Sequence, residues 1–336
     1  MDLNTLLQKL TAPACVSGSE SAIAETAAEL LRPFCDTVEI VSGNVCGTLG
    51  SRQAGKPHVL LDAHLDQVGF VVTEITPDGF VRVGNVGGLE YRFMPAQRVL
   101  LHGRQNIAGV ICCIPPHLQS GKKEHVAEVT ELAIDTGYSR EHLEQLLSVG
   151  DSVTFDMPFR TMAGGYVTSP SLDDRCGMAA ILCAMEELQG QALPCSLSVL
   201  FSTQEELGER GAKIGAYTIA PDIALAVDVT FGDAGEKVGV CGKGPLIGIS
   251  PSLSRDVSDA LIVAADAAQI PWQPEVMAGT TGTNADRFAV TRGGVRAGTV
   301  SIPLCHMHTP VEKIRTEDVA LTGKLLAAYV RGCASC

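Results

Sequence analysis

Four short and almost unbroken apolar runs constrain this chain more than any other feature. They are the stretch from Lys56 to His64, then SLSVLFSTQ, IALAVDVT and VRAGTVSIP. Runs this short and this apolar read as strands covered on both faces, the pattern of a parallel sheet. Helix-length stretches separate them: LDDRCGMAAILCAMEELQG, DVSDALIVAADAAQIP and the closing EDVALTGKLLAAYVRG. Alternating strands and helices predict an α/β fold, a mostly parallel sheet with helices on both faces. Two further helical stretches are expected between Asn4 and Leu31, split at Pro13 to Glu20.

The rhythm breaks once. From Val71 to about Thr161 the chain carries short strands with turn signals at Pro77-Asp-Gly79 and Gly87-Gly88, period-2 alternation in EITPDGFVRVGNV, and one helix-like stretch, SREHLEQLLSVGD. This reads as a small β-rich module (71–161) inserted into one α/β domain built from residues 1–70 and 162–336.

The apolar runs end on ionisable groups. His64 and Asp66 follow the first, Glu205 and Glu206 follow SLSVLFSTQ, Asp228 lies within IALAVDVT, and His306 and His308 follow the last; Asp173-Asp174 opens a predicted helix. In an open α/β sheet ligands gather at the carboxyl ends of the strands. Two histidines and several carboxylates brought to one edge are the donor inventory of a two-metal hydrolase. His64 and Asp66 project to the same side, so one can bind metal while the other orients it. Asp173 and Asp174 fit a helix cap or a ligand with a supporting neighbour. Glu205 and Glu206 point to opposite sides of an extended chain, so one can ligate while the other acts as general base. Asp228 inside an apolar run must be paired or metal-bound. His306 and His308 alternate, and spacing alone leaves either as a ligand. His58, His102, His117, His125 and His142 lack acidic partners at ligand spacing and read as structural.

Composition narrows the partners. A net charge of -13 argues against nucleic acid, which needs Lys and Arg to neutralise phosphate. No stretch reaches the roughly 18 to 20 apolar residues of a membrane span. The start lacks a basic region followed by an apolar one, so a cytoplasmic home is expected. The cysteines fit that expectation: Cys112, Cys113, Cys183 and Cys195 sit in apolar runs as small hydrophobes. The terminal Cys333-Ala-Ser-Cys336 is a single pair and reads as no metal site.

The stretches LDAHLDQVGF, SPSLDDRCG, TQEELGERGA, ALAVDVT, TGTNADRFAV and SIPLCHMHTPVE, with a weaker match in GVICCIPPHL and LAIDTG, resemble metallopeptidase family 42, the TET-type or glutamyl aminopeptidase-like enzymes. The resemblance implies two divalent metal ions, zinc or cobalt, with manganese allowed by the mixed ligation. Motif by motif it implies that Asp173 bridges them, that His64 and Asp228 hold one and Glu206 and His308 the other, that Glu205 is the general base, and that Asp66 orients His64. It further implies a cis Asp173–Asp174 peptide bond, peptide substrates with a free N-terminus, a PDZ-like dimerisation module, and dimers assembling into a tetrahedral dodecamer.

The chain departs from the family pattern twice. Cys305-His306 stands where members often carry Arg-Tyr, and Asn284 where they usually carry an aspartate; neither is an expected ligand, and Cys305 reads as packing. The deacylase and carboxypeptidase branch of the same clan is disfavoured because its extra domain interrupts the chain later. A glycosidase needs carboxyls roughly 5 to 9.5 Å apart and stacking aromatics, whereas this chain has one Trp and five Tyr. An inactive metal-binding shell protein would not need to retain the base as well as every ligand.

Overall fold

The computed structural model describes residues 2–52, 54–112, 126–232 and 239–333. Two helices, α1 (Leu3–Thr11) and α2 (Ser21–Leu31), lead into the hairpin β1 (Thr37–Val41) and β2 (Asn44–Leu49) and the central strand β3 (His58–His64). Next come β4 (Gly69–Ile75), β5 (Val81–Val86), β6 (Arg98–His102), β7 (Asn106–Cys112), β8 (Ala133–Asp135), α3 (Arg140–Leu146) and β9 (Ser152–Phe155). The short strands β10 (Arg160–Thr161) and β11 (Tyr166–Thr168) return the chain to α4 (Leu172–Leu188), β12 (Ser196–Ser202), α5 (Arg210–Ile219) and β13 (Ile223–Phe231). The remainder is β14 (Leu246–Ile249), α6 (Arg255–Ala267), β15 (Gln273–Val276), α7 (Ala285–Ala289), β16 (Arg296–Cys305), β17 (Lys313–Arg315) and α8 (Thr316–Gly332).

The four apolar runs form the centre of the large sheet in the order β12-β3-β13-β16, all parallel. Its outer edges are antiparallel, β1 and β2 on one side and β17, β11 and β10 on the other; β14 joins β16 antiparallel and β15 joins β14 parallel. The sheet is therefore mixed, with the expected parallel strands at its centre. A tight turn at Ser42 and Gly43, both with positive φ, joins β1 to β2; a turn this short serves only antiparallel neighbours.

Alternation on β3 explains why helices cover both faces. Val59, Leu61 and Ala63 join the core under α1, α2, α4 and α8, while Leu60 points into a second core with α5 and α7. No helix among the described residues is long and apolar enough to cross a membrane. Strands β4 to β9 close into a six-stranded antiparallel barrel, where a PDZ-like module was expected. Its interior is its own apolar cluster, in which Phe70 meets Phe155 edge to face with centroids 5.6 Å apart. His117, His125, Cys113 and Cys336 lie outside the described residues.

Helices α4 and α8 pack closely because Gly323 presents no side chain: a Cβ there would come within 2.8 Å of the Ala180 carbonyl oxygen and 2.9 Å of Cys183 Cβ. Gly323→Val is expected to destabilise the fold by about 1–3 kcal/mol through overpacking. Chemical denaturation of the metal-free protein measures this, and an unchanged midpoint would refute the close packing.

Candidate metal centre

Parallel register brings the ionisable groups together. Ser202 of β12 pairs with His64 of β3, which places Glu205 and Glu206 just past the same level. Ala226 of β13 pairs with Asp62, so Asp228, two residues on, is level with His64. Asp173 enters at the head of α4 and His308 just beyond β16. Every site residue expected from sequence thus converges at the carboxyl end of the central strands.

Asp173 sits between the two imidazoles. Its Oδ1 lies 3.0 Å from His64 Nε2 and its Oδ2 lies 3.3 Å from His308 Nε2. Asp228 Oδ1 is 3.9 Å from His64 Nε2, and Glu206 Oε1 is 3.2 Å from His308 Nε2. Donors on one tetrahedral ion with bonds of about 2.0–2.1 Å stand about 3.3 Å apart, so these separations suit metal ligation. Two donor groups, His64 with Asp173 and Glu206, and His64 with Asp174 and Asp228, have all their ligand atoms within 4.8 Å of one another. Asp174 has its oxygens occupied otherwise: Oδ2 accepts from the His64 amide at 3.2 Å and Oδ1 from the Gly177 amide at 3.0 Å. It ties the head of α4 to the end of β3. The peptide bond between Asp173 and Asp174 is cis.

Asp66 does more than sit beside His64. Its Oδ1 is 3.5 Å from His64 Nδ1, while the main-chain oxygen of Asp66 is nearer, at 3.2 Å. Its carboxylate accepts the amides of Glu205 at 3.0 Å and Glu206 at 3.1 Å, which fixes the turn carrying both glutamates. Sequence reasoning missed three supports. Glu312 accepts the amides of Asp173 and His308, Glu20 accepts those of Gly18 and Gln204, and the inserted barrel sends Gly87-Gly88 against the cluster. A Cβ on Gly87 would come 3.3 Å from Glu206 Cβ, and one on Gly88 3.4 Å from His308 Nδ1. An acid four residues after His308, inside the matched stretch, was the available signal for Glu312.

The departures have local reasons. Asn284 is buried and its Nδ2 donates to Asp62 Oδ2 at 2.7 Å and Ser202 Oγ at 2.9 Å. An aspartate there would face the buried Asp62 as a like charge, so the amide suits this chain. Cys305 is buried with its Sγ 3.6 Å from Cys241 Sγ, the packing role expected of it. His306 is exposed. The other histidines stand apart: His58 Nε2 bonds Ser198 Oγ, His102 bonds Asn106 and Thr154, and His142 stacks on Tyr138.

Electrostatics shows what the cluster requires. Burial first, then neighbouring carboxylates, pushes Glu205 up to about 9 and Asp228 to about 8. Burial opposes a charge on His308, but hydrogen bonds to Asp173 and Glu206 override it and raise that group to about 11. Those same imidazole bonds outweigh the burial of Asp173 and hold it well below the carboxylate range. The cluster traps protons because it needs positive charge, which divalent cations supply without protons. The residues therefore fit a metal.

Buried carboxylates and imidazoles at the strand ends of an α/β sheet are the donor set that a metallohydrolase uses. The sequence profile of the M42 glutamyl aminopeptidases matches residues 43–325. Lysyl aminopeptidase of Pyrococcus furiosus is 30% identical, over 97% of this chain and 96% of that protein. An aminopeptidase of the archaeon Desulfurococcus kamchatkensis superposes with a TM-score of 0.91 at 33% identity, covering 98% of this chain and 94% of that one. The TET1 peptidase of Pyrococcus horikoshii, which can assemble into a tetrahedron or a large octahedral shell, superposes with a TM-score of 0.87 at 30% identity, covering 98% and 99%. The chain belongs to the M42 glutamyl aminopeptidase family and is a peptide-bond hydrolase.

In the metal-free protein, Glu205, Asp228 and His308 hold protons above their unfolded values of about 4, 4 and 6.5. The folded state then binds more protons than the unfolded one, so the stability these groups contribute is lost as pH rises through about 8 to 11. Asp173 acts oppositely, and its contribution is lost only as pH falls below about 4. The melting temperature of metal-stripped protein is expected to fall from about pH 5 to about pH 9, and added divalent metal to remove most of that slope. A flat profile without metal would refute the proton-loaded cluster.

Proposed function

We propose that this chain is a dinuclear metallo-aminopeptidase that removes N-terminal residues from peptides. The observation that carries this reading is Asp173, whose two oxygens face two different imidazoles at 3.0 and 3.3 Å, as a bridging carboxylate's would. His64 and Asp228 would hold one ion, Glu206 and His308 the other, with Asp173 shared. Bound there, two divalent ions would lower the pKa of a water and polarise the scissile carbonyl. The mixed nitrogen and oxygen donors suit zinc or cobalt and admit manganese.

The chain's own residues do the rest. Glu205 accepts the proton of the attacking water and passes it to the departing amine. Asp66 holds the turn that keeps Glu205 and Glu206 on their separate tasks. The Gly87-Gly88 turn walls the side next to His308.

The reading extends to the architecture: residues 1–70 with 162–336 would form the catalytic domain, and 71–161, which holds most of the six-stranded barrel, a dimerisation module. Self-association into a tetrahedral dodecamer, working in the cytoplasm, is supported by the likeness to the TET1 peptidase, which is known as a dodecamer.

The test is hydrolysis of aminoacyl-p-nitroanilides and short peptides by metal-stripped protein with zinc, cobalt or manganese restored. Metal-dependent release of N-terminal residues is expected. Glu205→Gln should lower kcat by about 10²- to 10⁴-fold with bound metal unchanged, and undiminished turnover in that variant would remove Glu205 from its role as base.

A further inference from the structure

Glu312 lies four residues past His308 on the turn into β17 and is 1% exposed. Its Oε1 accepts the amide of His308 at 3.0 Å and its Oε2 accepts the amide of Asp173 at 3.1 Å. Its main-chain oxygen accepts the amide of Ser169, which ties the turn to the segment leading into α4. One buried side chain thus joins two loops that are 139 residues apart.

The residues it grips are the two whose side chains meet at 3.3 Å, His308 Nε2 against Asp173 Oδ2. Behind them the carboxylate of Glu312 fixes the separation of their main chains; in front the imidazole and carboxylate converge. His308 also sits at φ 58, a left-handed conformation that a non-glycine residue keeps only where its surroundings hold it. The bond from its amide to Glu312 is such a hold. Glu206 is gripped in the same way by Asp66.

We infer that Glu312 is a positioning residue for the metal pair: it sets the spacing of Asp173 and His308, and so the affinity for the ion that Glu206 and His308 hold, without touching either ion or the substrate. This rests on the dinuclear reading above. A carboxylate that merely filled space would be replaceable by its isostere. Glutamine has the same shape, but its NH₂ would face a main-chain N–H, donor against donor, and one of the two grips would be lost.

The experiment titrates metal-stripped, full-length protein with Zn²⁺ in a chelator buffer, reading bound zinc per subunit by mass spectrometry and p-nitroanilide hydrolysis alongside. Wild type is expected to take up two ions. Glu312→Gln should bind the first ion as wild type does and need about 10- to 100-fold more free zinc for the second. Its kcat should recover at saturating zinc, a split that a general loss of structure would not produce. Uptake of both ions at wild-type concentrations, or an equal loss of both, would overturn the inference. Should Glu312→Gln fail to fold, Glu312→Asp, which keeps the charge on a shorter stem, decides on the same criteria. Wild type that never takes up two ions would overturn the dinuclear reading, and the inference with it.

Discussion

Buried carboxylates that accept main-chain amides hold the functional end of this molecule together. Loops leaving the ends of parallel strands carry amides with no ladder partner, and burying them unpaired would be costly. Here Asp66, Asp174, Glu312 and Glu20 accept them in pairs. The price is a concentration of acidic groups away from water, where burial pushes Asp174, Glu312 and Glu20 up, with Arg175 beside them as a fully buried cation whose Nη1 donates to the Leu10 carbonyl. The same bonds that order the loops therefore create the demand for further positive charge.

The inserted barrel belongs to this arrangement. Residue Val16 bridges to Gln67, and Gly69 at the start of β4 lies close to both Val16 and the Val153 main chain. The segment after α1 is thus wedged where the sheet passes into the barrel. From the other side, Gly87-Gly88 reaches the cluster itself. A barrel with its own apolar interior still shares a boundary with the chemistry.

Much of this was legible in the chain because the signals were strong. The apolar runs of β3, β12, β13 and β16 and the helix-length stretches of α4, α6 and α8 stood out, and the groups at their ends followed. The flanking strands did not, since β14, β15 and β17 are three or four residues long and owe their pairing to the finished sheet. Nor did the roles of Glu312 and Glu20, because accepting a backbone amide leaves no mark at a fixed spacing. Asn284 was visible as a departure, but its reason, Asp62, lies 222 residues away. Residue types reveal which groups can react, whereas support depends on which loops happen to meet.

The supporting acids Asp66, Asp174 and Glu312 hold the main chains of Glu206, His64, Asp173 and His308, two amides to each acid. A change at one of these hidden acids therefore disturbs two positions at once. Selection should guard the concealed residues at least as strictly as those that meet the substrate.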